Sequence, residues 1–90
     1  MAEKTLEFRG IPLNHLITYL LECKGAQCSD QFPILVKGDH WQAELLREEV
    51  VQITSLFSVN AVFIRFNAGS EEALEQVIAM FRKKTLRIGG

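Results

Sequence analysis

The chain lacks most of the features that announce a function. It has two cysteines, Cys23 and Cys28, too few for a disulfide scaffold. Their spacing is not that of a C-x-x-C redox pair, and no second pair exists to complete four zinc ligands. No apolar run approaches the roughly 18–20 residues that a membrane helix needs, so no membrane association is expected. The opening Met1-Ala2-Glu3-Lys4-Thr5 has none of the apolar character of a signal peptide, and a cytoplasmic location is expected. Charge of one sign is also missing. Ten Lys+Arg stand against 11 Asp+Glu, for a net charge of −1. Binding to nucleic acid, which needs a basic surface to replace phosphate counterions, is not expected. The six glycines are dispersed or terminal and form no phosphate-binding loop.

What the chain does have is apolar content. At 48% apolar and 23% charged residues it reads as globular and not as disordered. Its 90 residues make a single domain, 1–90. A domain this small buries only about 60–65% of the surface its unfolded chain exposes. Without disulfides it has to fold on its apolar core, alone or together with a partner, and the high apolar fraction favours self-association.

Hydrophobic periodicity divides the chain. Thr5-Leu6-Glu7-Phe8-Arg9 alternates, a strand with Leu6 and Phe8 facing inward. After Gly10-Ile11-Pro12, residues Leu13, Leu16, Ile17, Leu20 and Leu21 form one helical stripe. Pro12 suits the first turn and Asn14 is a rival N-cap. Gly25 is the expected positive-φ stop. Ala26 to Gln31 reads as a loop. Phe32 to Lys37 is a strand, with Pro33 at its start or on an edge. Gly38-Asp39 predicts a hairpin into a strand from Trp41 to Arg47. Glu44 to Glu49 has helix-forming composition, yet a helix there would leave Trp41-Gln42-Ala43 unpaired. Two strands with a bend or turn near Glu48-Glu49 are expected, the second over Val50 to Thr54. Ser55 to Ser58 connects to a strand over Ala61 to Asn67. Ser70 caps a second helix with Glu71 and Glu72 at its positive end. Leu74, Val77, Ile78 and Phe81 carry its stripe, and Leu86 to Gly90 form a flexible tail. The result is a two-layer α+β domain, β-α-β(4)-α, with an antiparallel sheet and both helices on one face.

That order resembles a known family through particular residues. Phe8-Arg9-Gly10-Ile11-Pro12 leads into Leu16 to Glu22 and then Lys24-Gly25. Val51-Gln52-Ile53-Thr54-Ser55-Leu56, the Gly69 turn into Glu71-Glu72, and the Gly-Gly end follow. Together they resemble the C-terminal domain of bacterial MoaD-related proteins, named for the molybdopterin-synthase sulfur carrier. The resemblance covers nearly the whole chain and implies a fold similar to that of the TATA-binding protein. It also implies a link to molybdopterin or sulfur-transfer metabolism. In that family the domain follows a ubiquitin-like sulfur-carrier domain. Here Met1 opens directly on the first strand, and no such domain is expected.

Candidate functional residues fall in three groups. If Phe32, Ile34, Val36, Val62, Ile64 and Phe66 face the helices, Leu35 and Phe63 point the other way, with Leu46, Leu56 and Phe57 joining them according to register. Leu35, Leu46, Phe57 and Phe63 are therefore the expected binding residues of an open apolar sheet face, toward a second copy of the chain or another protein. The tail Gly89 and Gly90 is the second group. Sulfur carriers end in Gly-Gly because an unbranched end has to enter an activating enzyme, so a carrier is one alternative and a passive tail the other. Such carriers resemble the β-grasp fold, which begins with a hairpin and not with a strand–helix unit. The third group is scattered: His15, His40, Ser55 and Ser58 lie in no catalytic pattern. Glu44, Glu48 and Glu49 read as a solvated edge, and Arg82, Lys83, Lys84 and Arg87 as cations at a helix C-terminus. No enzyme, cofactor or metal site is expected. A small-molecule pocket between helix and sheet is a further alternative.

Overall fold

Two periodicities build the molecule. Period-two segments pair into a sheet, and period-3.6 segments lay their apolar stripes across one side of it. The computed structural model describes residues 2–89, with side chains through Thr85. Its elements are β1 (Ala2–Arg9), α1 (Leu13–Glu22), β2 (Ala26–Gln27), β3 (Ile34–Lys37), β4 (Trp41–Thr54), β5 (Phe57–Ala68) and α2 (Glu71–Gly89). The sheet is antiparallel throughout, in the order β1-β5-β4-β3-β2. The expected β-α-β(4)-α order and α+β class are those observed.

Register assigns each strand residue to a face. Leu6, Ile64, Leu45 and Ile34 form one row across the sheet, and Phe66, Ala43 and Val36 the next. These rows pack against Leu16 and Leu20 of α1 and Leu74, Val77, Ile78 and Phe81 of α2. Phe81 is fully buried at the centre of an aromatic cluster. Its ring centroid lies 5.1 Å from Phe8, 5.5 Å from Phe66 and 6.4 Å from Tyr19, all edge-on. That geometry suits the ring quadrupoles.

The helix ends show how local chemistry is satisfied. Ser70 caps α2 through its Oγ, which accepts from the Ala73 N–H at 3.1 Å. α1 has no side-chain cap, and Pro12 occupies the N-cap position with extended backbone. Asn14 lies inside the helix, where its carbonyl accepts from the Thr18 hydroxyl. At the other end of α1 the positive φ belongs to Lys24, at 71°, and not to Gly25. Gly25 is needed for a different reason. A Cβ there would meet Val36 at 2.6 Å, the Leu20 carbonyl at 2.8 Å and Trp41 at 2.9 Å. The chain has to pass close under the indole on its way to β2.

Several expected boundaries shift. Ala26–Gln27, read as loop, forms the short edge strand β2 on β3. Phe32, expected to face the helices, precedes β3 and is exposed. The bend expected near Glu48-Glu49 is not a break. β4 runs unbroken, with a β-bulge at Leu46 and a second irregularity at Ile53. Phe57 and Ser58, expected in the connection, begin β5, and the link shrinks to Ser55-Leu56. The bounds of α2 take in residues 86–89 of the expected tail, and Gly90 lies outside the described residues. Truncating Phe81 to Ala removes the hub of the aromatic cluster. It should cost about 3–5 kcal/mol, read as a fall in the urea midpoint at unchanged m-value.

Candidate functional site: the second sheet face and the β4–β5 arm

The face of the sheet turned away from the helices is built row by row. Glu3, Asn67, Gln42 and Lys37 make one row, and Thr5, Arg65, Glu44 and Leu35 the next. Glu7, Phe63 and Arg47 follow, then Arg9, Ala61 and Glu49. The body of this face is therefore charged, where an open apolar surface was expected. Six of its charges are paired. Arg65 donates to Glu44 Oε1 from Nη2 at 2.9 Å and from Nε at 3.2 Å. That hydrogen bond, reinforced by the carboxylate's charge, holds the Arg65 guanidinium above its usual pKa. Arg9 meets Glu7 at 2.9 Å and Arg47 meets Glu49 at 2.8 Å, exposed pairs each worth about 0–1 kcal/mol.

Of the four expected binding residues, Leu35, Leu46 and Phe63 are half-buried within this body. The Arg47 guanidinium lies 4.1 Å from the Phe63 ring centroid and covers it, a cation–π contact worth about 0.5–1 kcal/mol when exposed. Leu35 shares its row with the Arg65–Glu44 pair. Leu46 is the bulged residue opposite Phe63. The fourth, Phe57, lies elsewhere and is exposed.

Phe57 belongs to an arm. β3 pairs with β4 only as far as Leu45, and β1 pairs with β5 only as far as Ala61. Beyond those points β4 and β5 continue as a two-stranded ribbon, closed by Ser55-Leu56. Asn60 fixes its root. The Asn60 carbonyl accepts from the Gly10 N–H at 2.9 Å. Its Nδ2 donates to the Ile11 carbonyl at 2.6 Å and to Glu48 at 3.0 Å. The ribbon beyond is apolar and uncovered. Val50 is 78% exposed, Ile53 50%, Leu56 97% and Phe57 56%. No charged residue occurs between Glu49 and Arg65. Leu56 was named beside Phe57 as joining an open face, while Val50 and Ile53 were not singled out, because a break at Glu48-Glu49 places 50–54 inside the sheet. The charge-free run was the signal that could have found them.

The other hollows are shallow. One of about 480 Å³ is lined by Glu3, Lys37, His40, Trp41, Arg65 and Asn67. A groove of about 240 Å³ beside α2 is lined by Cys23, His40, Trp41, Val77 and Met80. Between the helices and the sheet the space is filled by fully buried side chains. His15 sits on α1 and His40 in the β3–β4 turn, both exposed. Among the described residues no group of three or more His, Cys, Asp or Glu is placed to hold a metal ion, and no helix is long and apolar enough to cross a membrane.

With this geometry in view, the family relationship can be stated. The family model for archaeal MoaD-like proteins matches residues 4–90. The chain belongs to the MoaD-like family. The match spans every element from β1 through α2 and reaches the terminal Gly-Gly. No curated protein and no solved structure matches the chain significantly.

The two thiols of this MoaD-like chain differ. Cys28 is exposed and Cys23 buried. Burial pushes the Cys23 thiol above its ordinary value of 9.0; Lys84 pulls it down less strongly and Glu22 adds to the rise. The folded state therefore holds this proton more tightly than the unfolded chain does. The resulting stabilisation is complete below 9.0 and is lost as pH rises through the raised folded value. Iodoacetamide at neutral pH should alkylate Cys28 alone, with Cys23 reacting only after denaturant is added. Intact-mass and peptide analysis read both sites.

Proposed function

We propose that this MoaD-like protein acts by binding and not by catalysis, and that its contact surface is the β4–β5 arm with the adjoining second face of the sheet. The observation that carries the reading is the exposure of Val50, Ile53, Leu56 and Phe57 on a ribbon without charge. A patch of this kind on a small chain marks an interaction surface. The paired charges at its root, Arg47–Glu49 and Arg9–Glu7, form the polar rim that such surfaces carry. The family supports a place in molybdopterin or sulfur-transfer metabolism, in which this chain positions other components.

A second reading rests on a different observation. The family match runs through Gly89-Gly90. In that reading the Gly90 carboxylate is the working group, activated as an adenylate and converted to a thiocarboxylate by a partner enzyme. The last turn of α2, which reaches Gly89, has to open for this, because an activating site admits an extended end.

The two readings separate by experiment. A photo-reactive amino acid in place of Phe57, introduced in the native host, should form protein adducts on irradiation. The same probe in place of Glu75, exposed on α2, should form none. Absence of any protein adduct at 57 contradicts the binding reading. Intact mass of the chain from that host should show an unmodified C-terminus. A mass gain equal to the exchange of one oxygen for sulfur at Gly90 instead establishes the carrier.

A further inference from the structure

The arm leaves backbone as well as side chains uncovered. β3 stops opposite Leu45, so the outer edge of β4 from Leu46 to Thr54 has no strand beside it. Natural proteins blunt such edges with charged residues, Pro or bulges, or cover them. From Val50 to Gln52 this edge carries none of these. Between the irregularities at Leu46 and Ile53 its ladder with β5 is regular, which leaves a continuous, pairable rail. A lone two-stranded ribbon is at best marginally stable in water.

We propose that the free edge of β4 pairs antiparallel with the same edge of a second copy of this chain, about a two-fold axis near Val50. This deepens the binding reading above by naming its partner and mode.

Charge bears on both the occupant and the register, and rules out axes centred on Glu48 or Glu49. With Val50 on the axis, Glu49 comes opposite Val51, Glu48 opposite Gln52 and Arg47 opposite Ile53. No like charges then face each other directly, which antiparallel pairs disfavour. An axis at Glu49 or at Glu48 would set that carboxylate against its own copy. The charged root of each arm therefore lies along the uncharged tip of the other, an arrangement that one sequence supplies to itself.

Geometry completes the edge. In this register Thr54 of one copy reaches Leu46 of the other, just before the point where β3 begins to pair at Ile34. β4 would then be matched along its whole length, by its own β3 as far as Leu45 and by the second copy beyond. The incoming tip, with Leu56 and Phe57, ends alongside Phe32, which is 45% exposed and precedes β3. Area is consistent with this. At roughly 60–120 Å² per buried apolar side chain, Val50, Ile53, Leu56 and Phe57 of two copies supply on the order of 500–1,000 Å². Paired backbone, Val51, Val59 and Phe32 add to that, toward the about 1,200 Å² at which stable interfaces begin.

The test uses the whole chain. Size-exclusion chromatography with light scattering, up to millimolar concentration, should give twice the chain mass. Val50→Asp, which sets two carboxylates together on the axis, should give the single-chain mass with unchanged circular dichroism. Met80→Asp, exposed on α2, should leave the dimer intact. In a Cys28→Ser background, Val50→Cys should oxidise to a disulfide-linked dimer and Glu75→Cys should not. A single-chain mass at every concentration overturns the proposal, as does a dimer that Val50→Asp leaves undisturbed. Adducts at position 57 to a foreign protein only, on a monomeric chain, remove self-pairing and leave the binding reading standing. Absence of any adduct there removes both.

Discussion

Two strands of this sheet are longer than their neighbours, and most of what distinguishes the molecule follows from that mismatch. β4 and β5 pair from Trp41 opposite Ala68 to Thr54 opposite Phe57. Their outer neighbours give out well before the end. Near the helices the hairpin is the centre of the core, with Ala43, Leu45, Val62, Ile64 and Phe66 fully buried. Away from them the same two strands have water on both faces and both edges. The core end supplies the hydrophobic burial that holds the fold. The far end leaves Val50, Ile53, Leu56 and Phe57 exposed.

The second sheet face mediates between these ends. Its charges pair along and across strands, and Arg47 covers Phe63. A face neutralised in this way has little reason to be covered. The exposed apolar surface lies further out, where Glu49 is the last charge before the tip. Asn60 holds the arm at a fixed angle by bonding to the β1–α1 connection on one side and to Glu48 on the other. A binding element on a rigid root meets a partner with less ordering cost than a loose loop.

Much of the architecture was legible in the sequence because periodicity reports which face is buried. The stripes Leu13 to Leu21 and Leu74 to Phe81, and the strand around Ile64, stand out for that reason. What was not legible depended on partners distant in sequence. Glu44 to Glu49 has helix-forming composition, and its pairing with β5 overrides that preference. Glu48-Glu49 reads as a turn because two carboxylates suit water; in an arm wetted on all sides a strand suits water equally well. Gly25 looks like a helix stop, while its real constraint is the approach of Val36 and Trp41. At the site, Leu56 and Phe57 were legible as unpartnered and Val50 and Ile53 were not, since their exposure follows from where β1 and β3 end. The family shows in core and turn residues, which say more about fold than about activity.

The central claim is that the outer half of the β4–β5 ribbon is an interface and not a surplus of strand. Amide hydrogen exchange at low and high protein concentration tests it most directly. The account predicts that protection of residues 46–54 rises with concentration, while that of Val36 and Ile64 in the core stays constant. Protection of 46–54 that is low and indifferent to concentration would contradict it.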